Sequence, residues 1–261
     1  MQTGRYSSNI HLIPSTLEIL GIDIGGSGIK GAIVNVEEGK TTTERFRVAT
    51  PEPADPQRSA EIVQEIVQNF GWTGPVGCGF PAIVKNGVAR TAANIPPDWI
   101  GVNVKALLEK QTGLPFSIIN DADAAGIAEM RFGEGLNHSG IVILLTVGTG
   151  IGSAIFVEGR LLANTELGHL EFKGNISEKY ASDRTRKKLG LSWLEWGNRF
   201  NEYLTYLERV FSPEVFIVGG GTSKYFAEYE SAITVKAPVH PAKLLNSAGI
   251  VGAALAAAGP Y

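Results

Sequence analysis

The sequence predicts an α/β protein built from two similar lobes, and three observations carry that reading. Extended apolar segments alternate with segments of helical periodicity from about residue 17 onward, as expected of sheets covered by helices. A unit of strand, glycine-rich turn and strand occurs twice, as GIDIGGSGIKGAIV in the first half and as ILLTVGTGIGSAIF at residues 143–156. Duplication makes such a turn far more informative than a lone one. A chain of 261 residues with 44% hydrophobic content can also bury a core large enough for two lobes.

In chain order, LEILGIDI and IKGAIVNV read as two strands joined by a tight turn, and TTTERFRVAT as a third strand. Gly25, Gly26 and Gly28 free the turn to adopt positive φ and bring bare backbone N–H groups to a ligand, which suits a phosphate. Asp23 at the tip of the first strand would repel that anion unless a cation lay between them, so it points to a magnesium-bound phosphoryl donor. The alternative is a β-hairpin whose glycines serve geometry and whose aspartate caps the turn. PEPADPQ is a loop, RSAEIVQEIVQNF a helix with Ile62, Ile66 and Phe70 at helical spacing, and PVGCGFPAIV extended structure in which Gly79 and Pro81 form a turn. PFSIINDADAAGIAEMRFG holds a strand ending at Asn120 and a helix with Asp121 and Asp123 in its first turn, where acids also satisfy the helix dipole.

The second half repeats the first. Gly148 and Gly150 fall near the glycine cluster of the earlier turn, and Thr146 stands where Asp23 stood. Two such lobes could hold a phosphate chain from both sides of a cleft. EVFIVGGGTSK at 214–224 is a third glycine turn after a buried strand, suited to a nucleotide's sugar and base or to a plain strand-to-helix turn.

Composition narrows the partners. A net charge of −3 gives no global basic field, which argues against nucleic acid. The single cysteine, Cys78, excludes an intrachain disulfide framework and a cysteine-based zinc site, and fits a reducing cytosol as a small core residue. No apolar run reaches the roughly 18 residues of a membrane span, and MQTGRYSSNIHLIPST lacks the apolar stretch of a signal peptide. A soluble cytoplasmic protein without a membrane partner is expected.

These motifs resemble those of the sugar-kinase branch of the actin-like ATPase superfamily known as the ROK family, over nearly everything from residue 17. DIGGSGIKGAIV is similar to the family's first phosphate motif, placing phosphate contacts on Asp23, Gly25, Gly26, Ser27, Gly28 and Lys30. TVGTGIGSA resembles the second, with Thr146, Gly148, Thr149 and Gly150, and VGGGTS the adenosine motif, with Gly219, Gly220 and Gly221. NDADAAGIAE resembles the segment that carries the catalytic aspartate, which implies Asp121. ELGHLEF resembles the sugar-binding Glu-x-Gly-His and places Glu166 and His169 on the hexose, with Asn94 in TAANIPPDW, Asn120, Asp121 and Glu178 in ISEKYAS beside them.

The resemblance implies an α/β, two-lobed actin-like ATPase (ribonuclease H-like) fold with a central cleft. It gives a small lobe of residues 17–122 plus 246–261, a larger lobe of 123–245, and a disordered tail at 1–16. It also implies a hinge near residues 120–125 and 245, and a C-terminal helix NSAGIVGAALAAAG packed back on the first lobe. Many members follow Gly-His with a zinc-binding cysteine cluster, whereas GHLEFKGNISEKYASDRTRKK has none, so no zinc is expected. Only 22 residues precede Asp23, too few for the DNA-binding domain of regulatory members, so a repressor is not expected. The zinc-free segment is most similar to bacterial members that phosphorylate glucose from inorganic polyphosphate and often from ATP.

The chemistry fits these assignments. A hexose hydroxyl is a poor nucleophile at neutral pH, so a carboxylate such as Asp121 should take its proton as the phosphoryl group transfers. Asparagine, glutamate and histidine supply paired donors and acceptors to adjacent hydroxyls and reject analogues that lack one. Lys173, Lys179, Arg184, Arg186, Lys187 and Lys188 face only Glu178 and Asp183 between residues 173 and 188. That local positive patch, with Arg184, Arg186, Lys187 and Lys188 at its centre, suits a long polyanion, and its alternative is a solvated helix face. Trp193 and Trp196 are expected to pack a helix into the core. The expectation is a magnesium-dependent glucokinase making glucose 6-phosphate from polyphosphate or ATP, with mannose as a second acceptor and a homodimer compatible. Its competitors are an ATP-only hexokinase and a non-catalytic sugar sensor.

Overall fold

The computed structural model of the chain describes residues 17–259, and the tail expected at 1–16 lies outside the described residues. Strands β1 (Glu18–Gly25) and β2 (Gly28–Asn35) form an antiparallel hairpin in which Asp23 faces Lys30 and Gly25 faces Gly28. Ile19, Leu20, Ile22 and Ile24 of β1 are all buried, because the sheet is covered on both faces. The third strand expected over 41–50 is two short pieces, β3 (Lys40–Thr41) and β4 (Phe46–Val48), both paired with β2. The break has a side-chain cause. Thr43 Oγ1 accepts the Ile33 N–H at 3.0 Å, so a side chain takes a ladder position that a strand carbonyl would hold, and the backbone leaves the sheet.

Helix α1 (Pro56–Asn69) starts earlier than its apolar spacing indicates, since Asp55 caps Arg58 N–H and Pro56 suits the first helical position. The extended segment that follows divides at Pro81 into β5 (Val76–Phe80) and a hairpin of β6 (Val84–Lys85) with β7 (Val88–Ala89). Helix α2 (Val104–Thr112), β8 (Phe116–Asn120) and α3 (Asp121–Phe132) complete the first half. In the first sheet the order is β3-β2-β1-β5-β8, with β1, β5 and β8 parallel.

The second half opens with the antiparallel pair β9 (Ile141–Val147) and β10 (Ile151–Val157), followed by edge strand β11 (Arg160–Leu162). A small hairpin of β12 (Glu171–Phe172) and β13 (Asn175–Ile176) leads to helices α4 (Glu178–Ala181), α5 (Asp183–Leu189) and α6 (Trp193–Phe211). Then come β14 (Val215–Gly220), α7 (Phe226–Tyr229), β15 (Val239–Pro241) and α8 (Ala248–Ala258). The second sheet runs β11-β10-β9-β14-β15, with β9, β14 and β15 parallel, so the two sheets share one plan of antiparallel hairpin followed by parallel strands.

One core lies between the first sheet and α1 and α2, a second between the other sheet and α6. A third lies between the sheets. There Ala124 and Ala128 of α3 and Ile250, Ala254 and Leu255 of α8 meet Ile19 and Val34 of the first sheet and Leu144 and Phe156 of the second. The helices come so close because side chains are missing where they touch. A Cβ on Gly252 would overlap the Ala124 carbonyl, one on Gly77 the Ala253 carbonyl, and one on Gly21 the Ile250 carbonyl. Helix α8 therefore lies directly on β1, β5 and α3.

Because backbone at the contact cannot yield as a flexible side chain can, Gly77→Ala and Gly252→Ala should each cost about 1–3 kcal/mol or more. Thermal melting should show a fall of Tm on the order of 5 °C. Gly26→Ala, whose added Cβ meets nothing within 4 Å, should melt close to the parent protein.

Candidate active site

Both antiparallel hairpins open onto one cavity of about 410 Å³. Gly25, Gly26 and Ser27 of the β1–β2 turn line one wall, and Thr146, Gly148, Thr149 and Gly150 of the β9–β10 turn line the other. Two carbonyls of the first turn are held from the side: Thr50 Oγ1 donates to Gly25 O at 2.6 Å, and Arg47 Nη2 donates to Ser27 O. Gly28 lines neither this cavity nor its neighbour, and its missing Cβ makes room for the Arg47 guanidinium.

A second cavity of about 270 Å³ is lined by Asp23, Lys30, Gly219, Gly220 and Gly221, together with Asn246 and Gly249, which the sequence reading did not single out. Lys30 Nζ sits 2.8 Å from Asp23 Oδ2. Asp121, Thr146 and Gly220 line both cavities, so the two compartments share these residues.

Asp121 owes its place to the end of β8 and the start of α3. Asn120 caps that helix, its Oδ1 accepting from Ala122 N and Asp123 N at 3.0 Å each, while its Nδ2 donates to Ala82 O at 3.2 Å. Both ends of the Asn120 side chain are thus engaged within the protein. Asp121 Oδ1 accepts from Ala122 N at 2.9 Å, and the carboxyl lines the cleft. Desolvation, reinforced by the charge on Asp23, pushes the Asp121 carboxyl up to about 7 against the pull of the Ala122 N–H, with Glu166 and Asp123 adding to the rise. A base whose affinity for protons lies near the working pH is suited to general-base chemistry.

Asn94, Glu166, His169 and Glu178 converge on the same large cavity. A tight 3-10 turn at Leu167–His169 brings His169 Nδ1 to 3.1 Å from Glu166 Oε2, and His169 Nε2 lies 3.9 Å from Glu178 Oε2. Burial raises the Glu166 carboxyl, His169 opposes the rise and Glu178 adds to it. Glu178 is itself buried, and its Oε2 accepts from Ile151 N at 3.3 Å. A side chain at Gly150 would have to displace Glu178 Oε2 and Asn94 Nδ2.

The basic patch separates into different roles. Arg184 lines the large cavity and its N–H donates to Gly148 O at 3.2 Å, which ties α5 to the second glycine turn. Arg186 turns inward, donating to Asp183 Oδ1 at 2.8 Å and lying 3.9 Å above the Trp193 ring. Lys187 pairs with Asp183 Oδ2 at 2.7 Å, Lys173 with Glu202, and Lys179 with Glu178 at 3.7 Å. Arg186, Lys187 and Lys188 line neither cavity. Burial would raise the Asp183 carboxyl, but hydrogen bonds from Lys187 and Arg186 hold it below the usual carboxylate range. Trp196 is fully buried and donates to Ala181 O at 2.9 Å, and Trp193 stacks on Tyr225, so both pack within the lobe.

Replacing Asp121 by Asn keeps shape and removes the proton acceptor, so turnover should fall roughly 10²-fold or more while sugar binding survives. In the parent protein kcat/KM should rise with pH through about 7, as Asp121 ionises. The folded protein holds a proton on Asp121 that the unfolded chain releases near 3.8, so stability falls as pH climbs from there to about 7. Asp121→Asn should consequently raise Tm most at pH 8, less at pH 5 and little below about pH 3.8, as melting curves across that range would show.

Comparison with known proteins gives the following. The model of the ROK family matches residues 19–186. Polyphosphate glucokinase of Mycobacterium tuberculosis strain H37Rv is 44% identical over 237 residues, 90% of this chain and 89% of that protein. The crystal structure of inorganic polyphosphate/ATP-glucomannokinase from Arthrobacter sp. strain KM superposes with a TM-score of 0.90 at 47% identity, covering 92% of this chain and 98% of that one. A ROK family glucokinase from Streptomyces griseus, in complex with glucose and AMPPNP, superposes with a TM-score of 0.80 at 28% identity, covering 92% and 99%. These neighbours share the α/β, two-domain actin-like ATPase fold.

Proposed function

The chain belongs to the ROK family, and from that premise we propose that it transfers a phosphoryl group to glucose, making glucose 6-phosphate with inorganic polyphosphate or ATP as donor. Identity of 44% to a polyphosphate glucokinase over most of both chains supports that activity. The observation that carries it is Asp121, which stands where two cavities share a wall, one ringed by sugar-type donors and acceptors and the other flanked by Asp23 and glycine turns.

In the reaction Asp121 takes the proton from the attacking hydroxyl as its oxygen bonds to the terminal phosphorus. The bond from that phosphorus to the bridging oxygen breaks, and the shortened donor leaves with the electron pair. Asn94, Glu166, His169 and Glu178 orient the sugar, and Asn120 joins them through the Nδ2 hydrogen that its bond to Ala82 leaves over. Gly25, Gly26 and Ser27 hold the phosphates from one lobe, with Gly28 behind them giving room to Arg47, and Thr146, Gly148, Thr149 and Gly150 hold them from the other. Gly219, Gly220 and Gly221 receive the nucleoside when ATP is the donor.

Magnesium belongs to the same proposal. The cavity beside Asp23 already accommodates one cationic group, the Lys30 ammonium, and magnesium is commonly held by one or two carboxylates plus substrate phosphates. Asp23 would hold it through water, and the ion would neutralise charge on the transferring group. Mannose is a second acceptor in this reading, supported by the glucomannokinase neighbour. We take 17–122 with the segment from 246 as one lobe and 123–245 as the other. The hinges then fall at 120–125 and at Leu245, where φ is +47°. No helix among the described residues is long and apolar enough to cross a membrane, and the lone buried Cys78 suits a reducing cytoplasm.

A coupled assay of hexoses against ATP and polyphosphate tests the reaction. Glucose 6-phosphate should form with both donors, whereas ATP use alone would leave a simple hexokinase and no turnover would leave a sugar-binding protein. Glucose should also close the cleft, and identical small-angle scattering with and without it would count against the hinge.

Donor length separates the cations. Lys187→Gln with Lys188→Gln should weaken long-chain polyphosphate use more than ATP use, by roughly fivefold for each lost contact at moderate salt. Added salt should mimic the double variant. Arg184→Ala, which keeps the backbone bond to Gly148 and removes the guanidinium, should weaken both donors, and kinetics over a series of chain lengths would reveal the difference.

A further inference from the structure

Asp123 lies two residues from the base and takes no part in the proton transfer described above. Its side chain is 1% exposed. Oδ2 accepts from Asn164 N at 2.7 Å, while Oδ1 is buried with no hydrogen-bond partner among the described residues. A carboxylate held that far from water needs a reason, since a buried acceptor left unpaired is destabilising.

The reason lies in what Asn164 does next. It sits in the left-handed region at φ +61°, two residues before Glu166, and its Oδ1 accepts from Val84 N at 2.8 Å on the β6–β7 hairpin of the first half. Asn120, at the same helix end as Asp123, donates to Ala82 O on the approach to that hairpin. Residues 82 and 84 are therefore both held from the start of α3, one directly and one through Asn164. Beyond Asn164 the loop is fixed to β10: Ser153 Oγ donates to Thr165 O at 2.9 Å, Thr165 Oγ1 donates to Ser153 O at 3.0 Å, and Leu167 N donates to Ser153 Oγ at 3.0 Å. The turn that carries Glu166 hangs from two anchors, Ser153 on its own sheet and Asp123 on the helix of the base.

We propose that Asp123 is a positioning residue for the sugar acceptor: by holding Asn164 against the β6–β7 hairpin, it sets the distance between the Glu166 turn and the wall that carries Asn94. This rests on the reading of Glu166 and Asn94 as sugar ligands. Desolvation pushes the Asp123 carboxyl up to about 7 against the pull of the Asn164 N–H, with Glu166 adding to the rise. A neutral side chain with one acceptor oxygen should thus serve as well.

Three variants of the full chain test the proposal. Asp123→Ala removes the anchor, and Asp123→Asn keeps an acceptor for the Asn164 N–H. Asn164→Gly keeps that N–H, tolerates the positive φ and deletes only the link to Val84. Amide hydrogen exchange should rise in both 82–91 and 163–169 for Asp123→Ala, in 82–91 alone for Asn164→Gly, and in neither for Asp123→Asn. Glucose KM should rise roughly fivefold to tenfold in the first two, with donor KM unchanged, and return to the parent value in Asp123→Asn.

Unchanged exchange, an equal rise in glucose and donor KM, or an Asn variant as impaired as the Ala variant would overturn the proposal. Should Asp123→Ala fail to fold, Asn164→Gly decides alone, and a parental glucose KM there would overturn it. A parent protein that bound no glucose would defeat the kinase reading and the acceptor role with it. The exchange measurements would still report separately on the link between the Glu166 turn and the hairpin.

Discussion

Backbone meets backbone where α3 and α8 cross between the two sheets, and the rest of the structure depends on that approach. It exists only because Gly252, Gly77 and Gly21 carry no Cβ where the Ala124, Ala253 and Ile250 carbonyls come close. The hydrophobic burial that drives it is spread over small alanines, which gain little individually but allow a contact without intervening side chains. With α8 seated on β1 and β5 and α3 seated on α8, the first turn of α3 is brought to the cleft between the two sheets. The parallel strands then end on the same side, which in open α/β sheets is where loops gather around a ligand. Asp121 is placed by packing some distance away, and the capping bonds of Asn120 make the final adjustment.

Carboxylates crowd this cleft, and that crowding has both a use and a cost. In a region already poor in water, Asp23, Glu166 and Asp123 raise the affinity of Asp121 for protons, and Glu166 raises that of Asp123. The use is a carboxyl with a proton affinity near neutral pH, the property that general-base chemistry needs. The cost is stability spent on holding negative charge together, a common pattern where activity and stability compete. Lys30 and His169 offset part of it, each within 3.1 Å of one carboxylate. Bound cations and sugar hydroxyls would offset more, so the occupied site should be electrostatically calmer than the open one.

The basic segment shows how a charge run in sequence can divide in space. Helix α5 turns once every 3.6 residues, so Arg184, Arg186 and Lys187 cannot face one direction. Arg184 reaches the cleft, Arg186 is enclosed by Asp183 and Trp193, and Lys187 pairs on the rim. A contiguous run of charges is thereby distributed between cleft wall, interior and surface.

The sequence by itself determined what depends on neighbours a few residues apart. The two strand–glycine turn–strand units, the strand ending at Asn120, the acid at the strand-to-helix junction and the helical spacing in α1 all follow from local periodicity and turn chemistry. So did the absence of any cysteine cluster. Residues singled out in separate segments, from Gly25 to Glu178, arrive at one cleft because the duplicated hairpins impose one plan on both sheets.

Tertiary structure decided the rest. Thr43 broke the expected third strand by bonding ten residues back to Ile33. Asp123 reads as a helix-dipole acid in sequence, yet it reaches Asn164 across 41 residues, and Asn164 reaches Val84 across 80. Such bonds leave no periodic trace, because they are fixed by which loops the packed helices bring together and by the loss of water that makes each buried polar atom seek a partner.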